Sequence, residues 1–309
     1  MEEKLRVTFI GDLKEKGKGV TEGSLRVINA LEGKIDLETI DYGSLYKNLP
    51  KFIPLKRNIG IFRLNKLSGI KNKIKNKNIH VISPGILDHK LLKYPHKKII
   101  TVHDTYVLRD DYPRSLLIKL IKPEKRIVDD LEHLDLYDHI ISVSDTTEKQ
   151  ITEKYKLVSK DKVTTLNWNI IPEEFRPLER SKNNGDKVLI GFINNLTWNK
   201  REKFKLFVDK FKSLRDNNLE FHFYGPAIDN EIKKLIVDDP RIKYLGFLPS
   251  EDVPKVLNSF DVYLSTSTVE GFGLPIMQAK ACKVPVLCYD GDIPNIVKRN
   301  TLIWNDDNL

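Results

Sequence analysis

Short apolar runs alternate with helix-like stretches along almost the whole chain, and this rhythm limits the fold more than anything else in it. Strands are expected at Leu5–Ile10, Ile35–Ile40, Ile79–Ser83, Lys98–His103, His139–Val143 and Lys162–Leu166. A second series runs Lys187–Ile193, Leu219–Tyr224, Ile242–Leu245, Phe260–Ser265 and Val284–Tyr289. Helices are expected between them, among others at Thr21–Leu31, Asp145–Tyr155, Arg201–Arg215, Asn230–Val237 and Ser250–Leu257. Strands rich in β-branched residues that alternate with helices make parallel sheets covered on both faces. The rhythm breaks once, at Pro172–Asp186, where two prolines, a glycine and many charges mark a linker. The expected fold is therefore α/β, with two Rossmann-like domains facing a cleft. They span residues 1–172 and 187–309, with a linker at 173–186. Ligands of such sheets lie at the carboxyl ends of the strands.

At 309 residues the chain is long enough for two such domains. Hydrophobic residues at 40% and charged residues at 31% fit a soluble protein, and no stretch reaches the roughly 18 apolar residues of a membrane span. The opening Met1–Ile10 reads as a first strand after a polar cap and not as a secretion signal. A cytoplasmic protein is expected, with peripheral membrane contact left open. Cys282 and Cys288 are the two cysteines. Their apolar neighbours make buried, inert thiols the expectation. The net charge of +9 is densest at Lys71–Lys77, read as a solvated face or as a patch for an anionic surface. Without interleaved aromatics, nucleic acid is not the expected partner.

The most informative local run is Thr268–Leu287. A strand ending in small hydroxyl residues leads into Glu270, Gly271, Phe272, Gly273 and Leu274, then Pro275 where a helix opens. A helix opened this way aims backbone N–H groups at an anion. Glu270 and Gln278 add a carboxylate and an amide eight residues apart, suited to hydroxyls. A ligand with both phosphates and hydroxyls fits, and a nucleotide sugar is one.

These residues, together with Phe223–Pro226, Ile242–Pro249, Asp261–Ser267, Val284–Leu287 and Gly291–Val297, resemble glycosyltransferase family 4, retaining enzymes of the GT-B fold. The first half is similar more loosely, through a glycine loop at Gly17, Gly19 and Gly23, through Val102–Asp104 and through Ile141–Ser144. The resemblance implies transfer of a hexose from a UDP- or GDP-sugar to a hydroxyl of a sugar, lipid-linked or other acceptor, without a metal or other cofactor. It places Glu270 at the donor sugar, and Gly271, Phe272, Gly273 and Leu274 at the sugar and diphosphate. Gln278, where the family has a second glutamate, falls on the ribose. Lys200 matches the lysine on the donor phosphates, and the loop's arginine is Asn195 here, so Arg201 is the available substitute. Gly19 is implied over the phosphate, His103 beside the donor sugar, Gly225 by the pyrophosphate, and Phe247 with Leu248 by the base, with Asp104 and Asp12 as further candidates. Asp290-Gly291-Asp292 spells a metal motif of another glycosyltransferase fold. Its position in the string makes a non-metal turn the expectation, and no residue is assigned to a metal. The family carries a further helix after the last residues seen here, so the chain is either minimal or braced by a partner or a second copy. The alternative function is a nucleotide- or partner-binding scaffold without turnover.

Overall fold

A computed structural model describes residues 5–11, 19–41, 78–82, 97–113, 123–167, 171–179 and 187–308. Asp12, Gly17 and Lys71–Lys77 lie outside the described residues. The chain divides into two compact units, Met1–Trp168 and Asn169–Leu309.

In the first unit the described elements are β1 (Arg6–Gly11), α1 (Gly19–Leu31), β2 (Asp36–Asp41), β3 (Asn78–Val81), β4 (Lys97–Val102), α2 (Pro123–Glu132), β5 (His139–Ser142), α3 (Asp145–Lys149) and β6 (Val163–Thr165). All strands are parallel, in the order β2-β1-β3-β4-β5-β6. Both faces are apolar because both are covered. Ile10, Val81, Ile100 and Ile140 pack with Leu131 and Leu134 on one side. Phe9 and Ile82 pack with Ile28 of α1 on the other. The β-branched strand residues lose little rotamer freedom in this setting. Ser144 starts α3 by accepting a hydrogen bond from the Thr147 amide at 3.0 Å.

The second unit contains β7 (Val188–Ile193), α4 (Trp198–Ser213), β8 (Leu219–Tyr224), α5 (Asn230–Ile236), β9 (Ile242–Tyr244), α6 (Val253–Ser259), β10 (Val262–Ser265), α7 (Leu274–Ala281), β11 (Val286–Tyr289), α8 (Asn295–Lys298) and β12 (Leu302–Trp304). Its sheet runs β12-β11-β10-β7-β8-β9, again all parallel. With β7 as the first strand and the sheet read from its β9 edge, that is third-second-first-fourth-fifth-sixth, the dinucleotide-binding order, with the reversal between β7 and β10. Phe204, Phe207, Val208 and Phe211 recur on one stripe of α4 and meet Phe192, Phe221, Phe223 and Trp304. The rings pack edge-on, with Phe204 5.2 Å from Phe192 and 5.1 Å from Phe223. Two Rossmann-like units are thus observed, as the alternation implied.

Three elements depart from the sequence reading. β12 adds a sixth strand to a sheet expected to have about five. α2 and α8 were not anticipated. Part of the expected linker also packs: Phe175 is buried, and Asn258 of α6 donates to the Arg176 carbonyl and accepts from the Leu178 amide. Cys282 and Cys288 are both buried, and burial pushes the Cys288 thiol up to about 11. Among the described residues, no helix is long and apolar enough to cross a membrane.

Candidate active site

The reversal between β7 and β10 opens a crevice at the carboxyl end of the second sheet, and three segments meet there. One follows β7 and opens α4, one follows β10 and opens α7, and one follows β11. Asn199 joins the first two. Its carbonyl accepts from the Thr268 amide at 2.8 Å, and its Nδ2 donates to the Val269 carbonyl at 2.9 Å. The third is laced to the second. The Asp292 amide donates to the Thr268 carbonyl at 2.8 Å, and the Glu270 amide donates to the Asp292 carbonyl at 3.1 Å. Below them, the Tyr263 hydroxyl of β10 donates to the Ile193 carbonyl at the end of β7. The Trp304 indole donates to the Ser265 carbonyl.

This lacing places Lys200 against Glu270, 70 positions later, with Nζ 2.9 Å from Oε1. Both side chains are largely buried, at 10% and 15% exposed. Ser267 Oγ donates to the same oxygen at 2.6 Å. An ammonium has three N–H donors, and Glu270 takes one of them. Beside this pair, α7 opens on Gly273, whose φ of +92° suits glycine and few other residues. The first turn closes with bonds from Ile276 and Met277 to the Gly273 carbonyl, and Pro275 has no N–H. The amides of Phe272, Gly273 and Leu274 thus precede the helix's own ladder, at its positive end. Gln278 sits one turn further along α7, half-buried.

Arg201, next to Lys200, faces other partners. Its Nη2 lies 2.8 Å from Asp229 Oδ2 and 2.5 Å from Glu231 Oε2. The hydrogen bonds it donates to Asp229, then to Glu231, raise its already high pKa further. It lines a cavity of about 160 Å³ together with Asn194, Asn195, Gly225, Asp229 and Tyr244. Gly225 leaves no room for a side chain, since a Cβ there would lie 2.4 Å from the Asn194 carbonyl oxygen. Its amide donates to Gly246, which brings the Phe247–Leu248 loop beside it, with Phe247 77% exposed. Sequence reasoning missed Asn199, Ser267 and Tyr263, although the two hydroxyl residues stand inside the Asp261–Ser267 segment that carries part of the resemblance. It also had no signal for the carboxylates on Arg201. Asp290, the first residue of the metal-like spelling, is paired with Lys298 at 2.8 Å.

The first unit holds the remaining candidates. Gly19 opens α1. Asp104 accepts from the Tyr106 amide at 3.2 Å. His103, just past β4, is buried, with Nε2 2.8 Å from the Ile82 carbonyl, so that nitrogen carries the proton. Burial depresses the His103 pKa to about 4, and the Ile82 hydrogen bond opposes the shift. His80 falls to about 4 through burial and then the nearby His103. Both are neutral at pH 7, so His103, whose one N–H donates to Ile82, has an acceptor at Nδ1 and brings no positive charge. The consequence for stability has a definite sign. Above pH 6.5 neither state binds these protons. Between pH 6.5 and about 4 the unfolded chain takes them up and the folded unit does not, so stability falls as pH drops and levels off below. Urea melts at pH 7, 5.5 and 4.5 are expected to show this loss. His103→Asn is expected to flatten it, and an equally steep loss in that variant would refute the assignment.

Comparison with known proteins adds to this geometry. Residues 187–308 match the family model of the glycosyl transferases group 1. Over 57 residues the chain is 42% identical to O-antigen chain mannosyltransferase B of Escherichia coli, covering 18% of this chain and 15% of that protein. Over 179 residues it is 25% identical to the phosphatidylinositol N-acetylglucosaminyltransferase GPI3 subunit of Saccharomyces cerevisiae, covering 54% and 39%. The similarity thus spans less than half the length of either relative. Among solved structures, sucrose-phosphate synthase from Thermosynechococcus elongatus aligns with a TM-score of 0.70 at 15% identity, over 98% of this chain and 86% of that one. Anabaena Alr3699/HepE in complex with UDP and glucose aligns with a TM-score of 0.63 at 15% identity, over 97% and 86%. The two Rossmann-like units therefore have the fold of the GT-B glycosyltransferases, and the second of them carries the match to the group 1 glycosyl transferases.

Proposed function

We propose that this protein is a retaining glycosyltransferase of the family 4 type, moving a hexose from a UDP- or GDP-sugar to an acceptor hydroxyl. The observation that carries the reading is the Lys200–Glu270 contact at the β7/β10 reversal, beside the opening amides of α7. Lys200 and those amides supply a fixed positive field for the donor diphosphate, and Glu270 accepts hydrogen bonds from the donor sugar. As the bond between the anomeric carbon and the phosphate oxygen breaks, negative charge grows on the diphosphate. Groups already oriented toward it stabilise that charge without reorganising. The acceptor oxygen attacks from the same face and its proton passes to the departing phosphate oxygen, which retains the configuration. Gln278 binds the ribose through its amide, more weakly than a carboxylate would.

A metal is not required in this scheme. The relatives are named for phosphatidylinositol and for an O-antigen chain, which supports a lipid-linked or glycan hydroxyl as acceptor. We place the reaction in the cytoplasm, with peripheral membrane contact for a lipid-linked acceptor. The test is incubation with UDP- and GDP-sugars plus a chelator, following nucleotide release. Release from at least one donor, undiminished by chelator, is expected. Release that stops with chelator overturns the metal-free chemistry. Donor binding without any release in either condition leaves a binding scaffold instead.

A further inference from the structure

Arg201 was the available stand-in for a missing phosphate cation, and its surroundings give it a different task. Its Nη2 serves two carboxylates at once, Asp229 and Glu231. Asp229 is also the N-cap of α5, accepting from the amides of Glu231 and Ile232 at 3.1 Å each. Glu231 is shared with Lys205 at 2.8 Å, and Lys205 meets Glu202 at 2.8 Å. Two cations therefore stand among three carboxylates, so a phosphate approaching Arg201 meets an excess of negative charge. The loop that these contacts hold is the Gly225 wall of the cavity. At its other end the Gly225 amide is fixed to the Gly246 carbonyl, and the Tyr244 hydroxyl donates to the Pro226 carbonyl at 3.0 Å. Only the α5 end of this wall depends on Arg201.

We infer that Arg201 is a positioning residue: it straps the 225–229 loop to the first turn of α4 and leaves the donor's phosphate charge to Lys200. This rests on the donor-site reading above, in which Gly225 is approached by the nucleotide. A strap and a phosphate ligand predict opposite signs when the carboxylates are removed. A strap is lost with either side of the linkage, whereas a phosphate ligand is set free.

The experiment titrates UDP and GDP calorimetrically into the wild type, Arg201→Gln, Asp229→Asn with Glu231→Gln, and the triple variant. Hydrogen exchange of residues 225–232 is followed in each without nucleotide. Asparagine keeps the α5 cap, so that helix retains its start. Arg201→Gln and the Asp229–Glu231 variant are each expected to weaken binding of the preferred nucleotide about tenfold, with the triple variant no worse than either. All three are expected to exchange faster across 225–232. Tighter nucleotide binding by the Asp229–Glu231 variant would overturn the inference, because it would mean the freed guanidinium reaches the phosphate. Wild-type exchange across 225–232 in Arg201→Gln would overturn it as well. If the wild type binds neither nucleotide, the donor-site reading fails, and the exchange rates alone decide whether the strap exists.

Discussion

Lys200→Met is expected to lower the rate of sugar transfer by about 10²–10³-fold, the usual size of effect when one fixed donor to a developing oxyanion is removed. The change should fall on kcat and kcat/KM together, with the donor KM moved little, because the charge being stabilised grows only as the bond breaks. The same substitution also strands Glu270 in a largely buried place, 15% exposed, where breaking an ion pair costs about 3–5 kcal/mol. Stability and catalysis can be separated with a second change. Glu270→Gln added to Lys200→Met removes the unpaired charge and should restore much of the melting temperature without restoring the rate. Transfer by Lys200→Met at the wild-type rate would show that the cation does not act on the leaving group. Recovery of activity by the double variant would show that the single loss was only a folding defect.

Phe204→Ala carries the largest expected cost to stability. The side chain is fully buried and touches rings from β7 and β8, with centroids 5.2 Å from Phe192, 5.8 Å from Phe221 and 5.1 Å from Phe223. Truncating a buried phenylalanine costs about 3–5 kcal/mol, part of it for the cavity that remains. For a protein of this size each kcal/mol moves the midpoint by roughly 2–4 °C, so the transition of the second unit should drop by about 10 °C. Phe204→Leu, which keeps most of the volume, should lose much less. Scanning calorimetry reads the difference directly, and an unchanged midpoint in Phe204→Ala would contradict the packing described here. Because Lys200 lies one turn before Phe204 on α4, loosening this ring also loosens the base on which the cation stands.

Much of the second unit could be read from its sequence because two independent signals agreed there. Apolar runs such as Val188–Ile193 and Leu219–Tyr224 announced strands, and Gly273 followed by Pro275 announced a helix opening. The elements of this unit that escaped are those with little local signal. β12 has three residues and α8 has four, and each exists because Trp304 or Val297 is buried by neighbours distant in the chain. At the site, Lys200 and Glu270 were both identifiable, but their contact is a product of strand order. The partners of Arg201 are 28 and 30 positions away on another helix, so nothing in the residues around it could reveal that its charge was already taken. His103 was recognisable as the residue ending a strand. Its neutrality depends on how completely the first sheet encloses it.

The lacing among Asn199, Thr268, Glu270 and Asp292 has a mechanical consequence. Gly291 lies so tightly under this knot that a Cβ would sit 2.5 Å from the Thr268 carbonyl oxygen. The three segments must then shift together or stay put, since none has slack of its own. An insertion or enlargement in any one of them would be felt at the Glu270 carboxylate, so variation that tunes the ligand choice of the proposed donor site has to arise from side chains at the rim, with the length of these loops held constant.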